Sequence, residues 1–135
     1  MTKELQEKLY TKYPLIFQNK DKSMKESCMY WGISTNDGWY KIIDRLCSNL
    51  QWNTDHNKQP QIIASQVKEK FGGLCFYVES GTSEQHAVIS FVESLSHHVC
   101  EECGSMENVG HTKGWITTLC KKCVKDNENW KEYEK

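Results

Sequence analysis

Two cysteine pairs carry the chemistry that this chain spells out most plainly, Cys100-Glu101-Glu102-Cys103 and Cys120-Lys121-Lys122-Cys123, with sixteen residues between them. The pattern C-x2-C-x16-C-x2-C reads as a structural zinc site. Two thiolates three residues apart grip one side of a tetrahedral ion, and a second such pair closes the other. The predicted ligands are therefore Cys100, Cys103, Cys120 and Cys123, with Zn2+ as a structural cofactor. The competing readings are four free thiols, two disulfides, or a site in which His97, His98 or His111 replaces one cysteine. A catalytic zinc keeps an open position beside three protein ligands, whereas four thiolates fill the shell.

The other residues with chemical potential fall in two segments. Residues 28–40 pack Trp31, Trp39, Tyr30 and Tyr40 among two glycines. Trp31, Trp39 and Tyr40 could line a flat pocket for a base or a partner's side chain, or Trp39 could anchor the next helix in the core while Trp31 packs under a loop. Lys68, Lys70 and Tyr77 share one face of an expected hairpin and could contact phosphate or an acidic partner, or form an ordinary solvated sheet face. Cys28, Cys47 and Cys75 have no paired spacing and read as small buried hydrophobes. This odd set of thiols beside a thiolate site favours a reducing compartment, hence the cytoplasm. No G-x-S-x-G, Walker A, H-E-x-x-H or dinucleotide fingerprint is present, so no catalytic residues are assigned.

The elements that must hold these residues follow from periodicity. Leu5, Leu9 and Tyr13 predict a helix over 2–12, ended by Pro14. Thr35-Asn36-Asp37-Gly38 reads as a turn with Asp37 as N-cap. Trp39, Ile42, Ile43, Leu46, Cys47 and Leu50 then form a helical stripe, and 51–60 reads as a polar connection. Residues 61–79 suit a hairpin turning at Gly72-Gly73, in which Phe71 faces Leu74, Glu69 faces Phe76, Val67 faces Val78 and Lys68 opposes Tyr77; the competing reading is a helix over 64–71, since Ile63, Val67 and Phe71 also fit a helical spacing. A capping box at Thr82 and Gln85 opens a helix over 83–99 with Val88, Phe91, Val92, Leu95 and Val99 on one side. Beyond it, the first cysteine pair forms a knuckle, residues 105–119 a hairpin, and the second pair the start of a last helix through Val124, Trp130 and Tyr133. Together these resemble a treble-clef finger.

The expected fold is α+β: a helix–helix–hairpin–helix body over 1–99 with a docked zinc module over 100–135. Hydrophobic content of 38% and charged content of 26% describe a folded domain, and a chain of 135 residues has a core within reach. No apolar run approaches the roughly 18 residues of a membrane helix, and the N-terminus lacks a signal-peptide core. The net charge of −1 and the single arginine, Arg45, argue against nucleic-acid binding, for which Lys113, Lys121, Lys122 and Lys125 are the available cations.

Three segments, Ser27–Gly32 with Asp37–Tyr40, Gln66–Tyr77, and Cys100–Cys123, resemble in that order a family of small, largely uncharacterised phage and prophage proteins. This chain carries Cys75 where such relatives tend to carry arginine. The resemblance implies a phage accessory protein in the host cytoplasm, non-enzymatic, that binds a host protein and inhibits antiviral defence. The alternatives are a nucleic-acid-binding regulatory zinc finger and a protein that sequesters a nucleotide signal.

Overall fold

The computed structural model describes residues 1–125 and 127–133. Helix α1 (Lys3–Lys12) buries Leu9 and Tyr10, and Pro14 ends it after the Tyr13 amide closes on the Leu9 carbonyl at 2.9 Å. Asp37 does not cap the helix that follows it. Its carboxylate instead accepts the backbone N–H of Thr2 at 2.7 Å, just ahead of α1. Residues Asp37–Trp39 form a single 3-10 turn, and α2 (Tyr40–Asn57) begins after it.

Helix α2 buries the expected stripe of Ile43, Leu46, Cys47 and Leu50, with Trp39 beneath its first turn. It does not stop at Leu50. The segment expected as a polar connection continues as helix to Asn57, where Lys58 takes a left-handed φ of 59° and its N–H closes on the Asn53 carbonyl. Local bonds support this polar stretch, among them Thr54 Oγ1 to the Leu50 carbonyl and Asn53 Nδ2 to the Asn49 carbonyl.

A first sheet has the order β1–β2–β3. Strand β1 (Ile33–Ser34) runs parallel to β2 (Ala64–Lys70), and β3 (Gly73–Val78) returns antiparallel. The hairpin exists, but its turn is Phe71-Gly72 rather than Gly72-Gly73. Val67 therefore faces Phe76, Glu69 faces Leu74, Lys68 faces Cys75 and Gln66 faces Tyr77. Two local facts select this register. Phe71 and Gly72 both take positive φ, 51° and 80°, as a two-residue hairpin turn requires. Gly73 is drawn into the strand because the His97 imidazole fills the space a side chain would need: an added Cβ would lie 2.6 Å from Nε2. The Glu69 carboxylate accepts the Gly72 N–H at 2.7 Å, which accounts for an acid among apolar neighbours. Phe71, expected inward, is 74% exposed.

The capping box is present, and α3 (Ser83–Ser96) runs from it. The buried side of α3 is Gln85, Ile89, Val92 and Ser96, so Phe91, expected on the apolar face, points to solvent. Helix α3 lies along the free edge of β3. Ser96 Oγ accepts the Leu74 N–H and Glu93 Oε1 accepts the Phe76 N–H, each at 2.8 Å, so this edge presents no open ladder there. The body core gathers Leu9, Ile16, Phe17, Met29, Ile33, Trp39, Val67 and Phe76 between helices and sheet.

The C-terminal module is a second sheet, in the order β5–β4–β6. Strands β4 (Val109–Thr112) and β5 (Thr118–Cys120) form the expected hairpin. The expected last helix is not formed. Cys120–Cys123 is a turn, and the chain returns as β6 (Trp130–Glu132) on the other edge of β4. Trp130 and Tyr133, spaced like a helical face, are held elsewhere: Trp130 Nε1 donates to the Leu119 carbonyl at 2.9 Å and the Tyr133 ring sits against His111 at 4.9 Å.

Candidate metal centre

The four thiols of Cys100, Cys103, Cys120 and Cys123 lie within 4.8 Å of one another, and Cys103 Sγ is 3.7 Å from Cys120 Sγ. With a Zn–S bond of about 2.3 Å, the edge of a sulfur tetrahedron is about 3.8 Å. The Cys103–Cys120 pair matches that edge, and the other thiols lie close enough to converge on the same ion. Among the described residues this is the one group of three or more His, Cys, Asp or Glu side chains close enough to share a metal.

Two knuckles produce the convergence. In the first, the Gly104 N–H returns to the Cys100 carbonyl at 2.8 Å. In the second, the N–H groups of Cys123 and Val124 return to the Cys120 carbonyl at 3.0 and 3.1 Å. The β4–β5 register sets Cys120 against Val109, and the Cys100 N–H bonds the Ser105 carbonyl at 2.8 Å. Four thiols at this distance cannot ionise independently. Burial opposes ionisation of Cys120, but the Cys123 and Lys122 amides, with neighbouring thiols, outweigh it and bring its pKa to about 7. Burial and then the surrounding thiols push Cys123 the other way, and burial raises Cys100. A divalent cation removes this conflict by neutralising the sulfur charge.

The module is seated on the body through contacts that no local pattern announced. Glu101, between the first two cysteines, is buried; its carbonyl accepts the Gly38 N–H at 2.7 Å and its carboxylate the Asn36 N–H at 3.0 Å. Burial raises the Glu101 pKa. Trp39 Nε1 donates to the Val99 carbonyl at 2.8 Å. Thr118, fully buried, donates its hydroxyl to the Gly72 carbonyl at 2.6 Å. At Gly38 the approach leaves no room for a side chain: an added Cβ would lie 2.5 Å from the Glu101 carbonyl oxygen and closer still to that of Cys100. The turn glycines and the acid inside C-E-E-C were visible in the sequence, but nothing there paired them.

The six other candidate residues are dispersed. Trp39 is fully buried under α2. Tyr40 is half-buried beside Lys8 and Lys12 of α1. Trp31 is 63% exposed, with its ring edge-on to Tyr30 at 5.2 Å. Lys68 and Tyr77 do meet, with Nζ 6.0 Å from the ring centre, and line a groove of about 550 Å3 with Lys25, Cys28, Gln66 and Glu79. Lys70 belongs to a different cleft, at the hairpin tip beside Phe71 and Trp115. Of the remaining thiols, Cys28 is exposed, Cys75 is intermediate, and burial pushes the Cys47 thiol far up. No helix among the described residues is long and apolar enough to cross a membrane.

Comparison with protein-family models, with curated proteins and with solved structures finds none that matches this chain. The site is therefore read from its own chemistry.

Proposed function

We propose that this chain is a non-enzymatic zinc-fastened binding protein whose metal holds a recognition surface together and takes no part in a reaction. The observation that carries the reading is the convergence of four thiols within 4.8 Å of one another, one pair of them at the edge length of a Zn–S tetrahedron. Four sulfur ligands leave no coordination position for water or substrate. Among the described residues the module's own apolar cluster is Cys100, Val109 and Cys120, with Leu119 and Cys123 packed half-buried against it. A unit of fewer than about 40 residues rarely folds without a metal, disulfide or partner. The thiols are all free, which fits a reducing cytoplasm.

The partner in this reading is a protein. Net charge is −1, and exposed aromatics rather than clustered cations mark the surface. The phage setting, a host protein as target and inhibition of antiviral defence rest on the sequence resemblance alone.

Cobalt substitution tests the metal reading. Co(II) added to chelated protein should give the intense visible bands of a tetrahedral thiolate site, displaced by equimolar zinc; a pale octahedral spectrum would contradict it.

The groove at Lys25, Lys68 and Tyr77 supports a second reading, sequestration of a nucleotide, because it offers two ammonium groups beside an exposed ring, set against the carboxylates of Glu26 and Glu79 in the same lining. Thermal shift against a nucleotide panel separates the two, since a ligand at about 100 times its Kd adds about 2.7 kcal/mol.

A further inference from the structure

The hairpin tips of the two sheets end side by side. Phe71 stands at the tip of β2–β3 and Trp115 in the loop between β4 and β5, 74% and 86% exposed. With Ile116, Gly114, Glu69 and Lys70 they line one cleft of about 250 Å3. Two other exposed tryptophans have rings to rest on: Trp31 packs on Tyr30, and Trp52 stacks on His56 at 4.7 Å, while Phe91 stands alone on α3 with no second aromatic beside it among the described residues. Phe71 and Trp115 have no aromatic ring partner among the described residues. The Lys70 ammonium lies 5.8 Å from the Phe71 ring centre.

The cleft is built in advance. Thr118 Oγ1 ties the two tips through the Gly72 carbonyl at 2.6 Å, in a buried position. Thr112 Oγ1 donates to the Trp115 carbonyl at 2.6 Å and accepts the Thr117 N–H at 2.9 Å, so the loop under the indole is fixed while the ring projects. Ile116 lies over the turn, its Cγ2 only 2.9 Å from where a Cβ on Gly72 would sit. A preformed surface of this kind loses little entropy when it is covered.

Size and charge select the occupant. Sites for drug-sized ligands run to roughly 300–1,000 Å3, so this cleft suits a single side chain. Its walls are apolar and aromatic, the composition of an interface centre. Lys70, on the cleft, and Lys113, the residue before Gly114, are both exposed cations. The one acid in the lining, Glu69, is engaged by the Gly72 N–H. Two lysines supply an acidic fringe with partners but fall short of the cation cluster that a phosphate backbone calls for.

We propose that the paired tips are a docking slot for an acidic protein segment that inserts one apolar side chain between Phe71 and Trp115. This rests on the binding-protein reading and names its surface.

The test uses the full zinc-loaded chain and short fluorescein-labelled peptides rich in Asp and Glu, with one central Leu, Phe or Ala, plus a Lys-rich Leu peptide and oligo-dT. Fluorescence anisotropy should show saturable binding of the acidic Leu or Phe peptide, with the Ala and Lys-rich peptides much weaker. Phe71→Asn, which preserves the left-handed turn, and Trp115→Ser, on an open loop, should each weaken binding roughly 30-fold while melting stays cooperative. Equal binding by these variants, tighter binding of oligo-dT, or no binding of any acidic peptide would overturn the proposal. Zinc is measured on the same samples. Metal-loaded protein that ignores the peptides removes the slot alone, whereas protein without metal removes the fastener alone.

Discussion

At the residue scale, the positions that matter most are those where one atom has no alternative place. Gly38 is the clearest. It sits beneath the first knuckle, its N–H given to Glu101 and its α-carbon pressed against two carbonyls of the C-E-E-C turn. Here the requirement is space, and the obstructing atoms are backbone, which cannot rotate aside. Gly38→Ala should cost about 3 kcal/mol of stability and speed zinc loss to a chromogenic chelator, measured by urea titration and by release kinetics. Unchanged stability and release would show that the knuckle does not rest on this residue. The four ligands were legible because thiolate spacing is a local property of the chain. Glu101, Asn36, Gly38 and Thr118 were not, because their roles arise between segments far apart in sequence.

At the scale of elements, the chain read truly wherever a single element decided its own fate. The α2 stripe from Trp39 to Leu50 and the Thr82–Gln85 capping box are formed as periodicity and capping chemistry indicate. Reading failed where two elements compete. Gly72-Gly73 looked like the turn, but the neighbouring His97 needs Gly73 in the strand, so the turn moved to Phe71-Gly72 and the register moved with it. Trp130 and Tyr133 looked like a helical face, yet β4 had an unpaired edge, and they lie at its returning strand, β6. The shifted turn leaves an aromatic side chain at a φ of 51°, a conformation that costs an L-residue about 1–2 kcal/mol and that asparagine tolerates better. Phe71→Asn should therefore raise stability by about 1 kcal/mol, or the melting temperature by about 4 °C, in differential scanning calorimetry. A lowered melting temperature would mean that the Phe71 ring stabilises the fold itself.

At the scale of the whole molecule, two unequal cores share one chain. Helices α1, α2 and α3 all belong to the body with its broad apolar core, whereas the module has a small cluster around Cys100, Val109 and Cys120. Structural zinc sites contribute on the order of 10–16 kcal/mol of apparent binding energy, as much as a typical domain's entire stability. Chelation should accordingly dismantle the module first. Far-UV circular dichroism should retain most of the helical signal, while the emission of the half-buried Trp130 shifts to the red and the amides of β4 to β6 lose hydrogen-exchange protection. Simultaneous loss of helix and module would instead make the metal the keystone of both.

The most direct measurement is thiol titration of freshly purified, untagged protein, with zinc release followed in the same cuvette. One zinc per chain, freed only as four thiols beyond the exposed Cys28 are consumed, is the predicted result. Protein that is folded and monodisperse yet carries no stoichiometric metal, or whose four C-terminal thiols react as freely as Cys28, would contradict it.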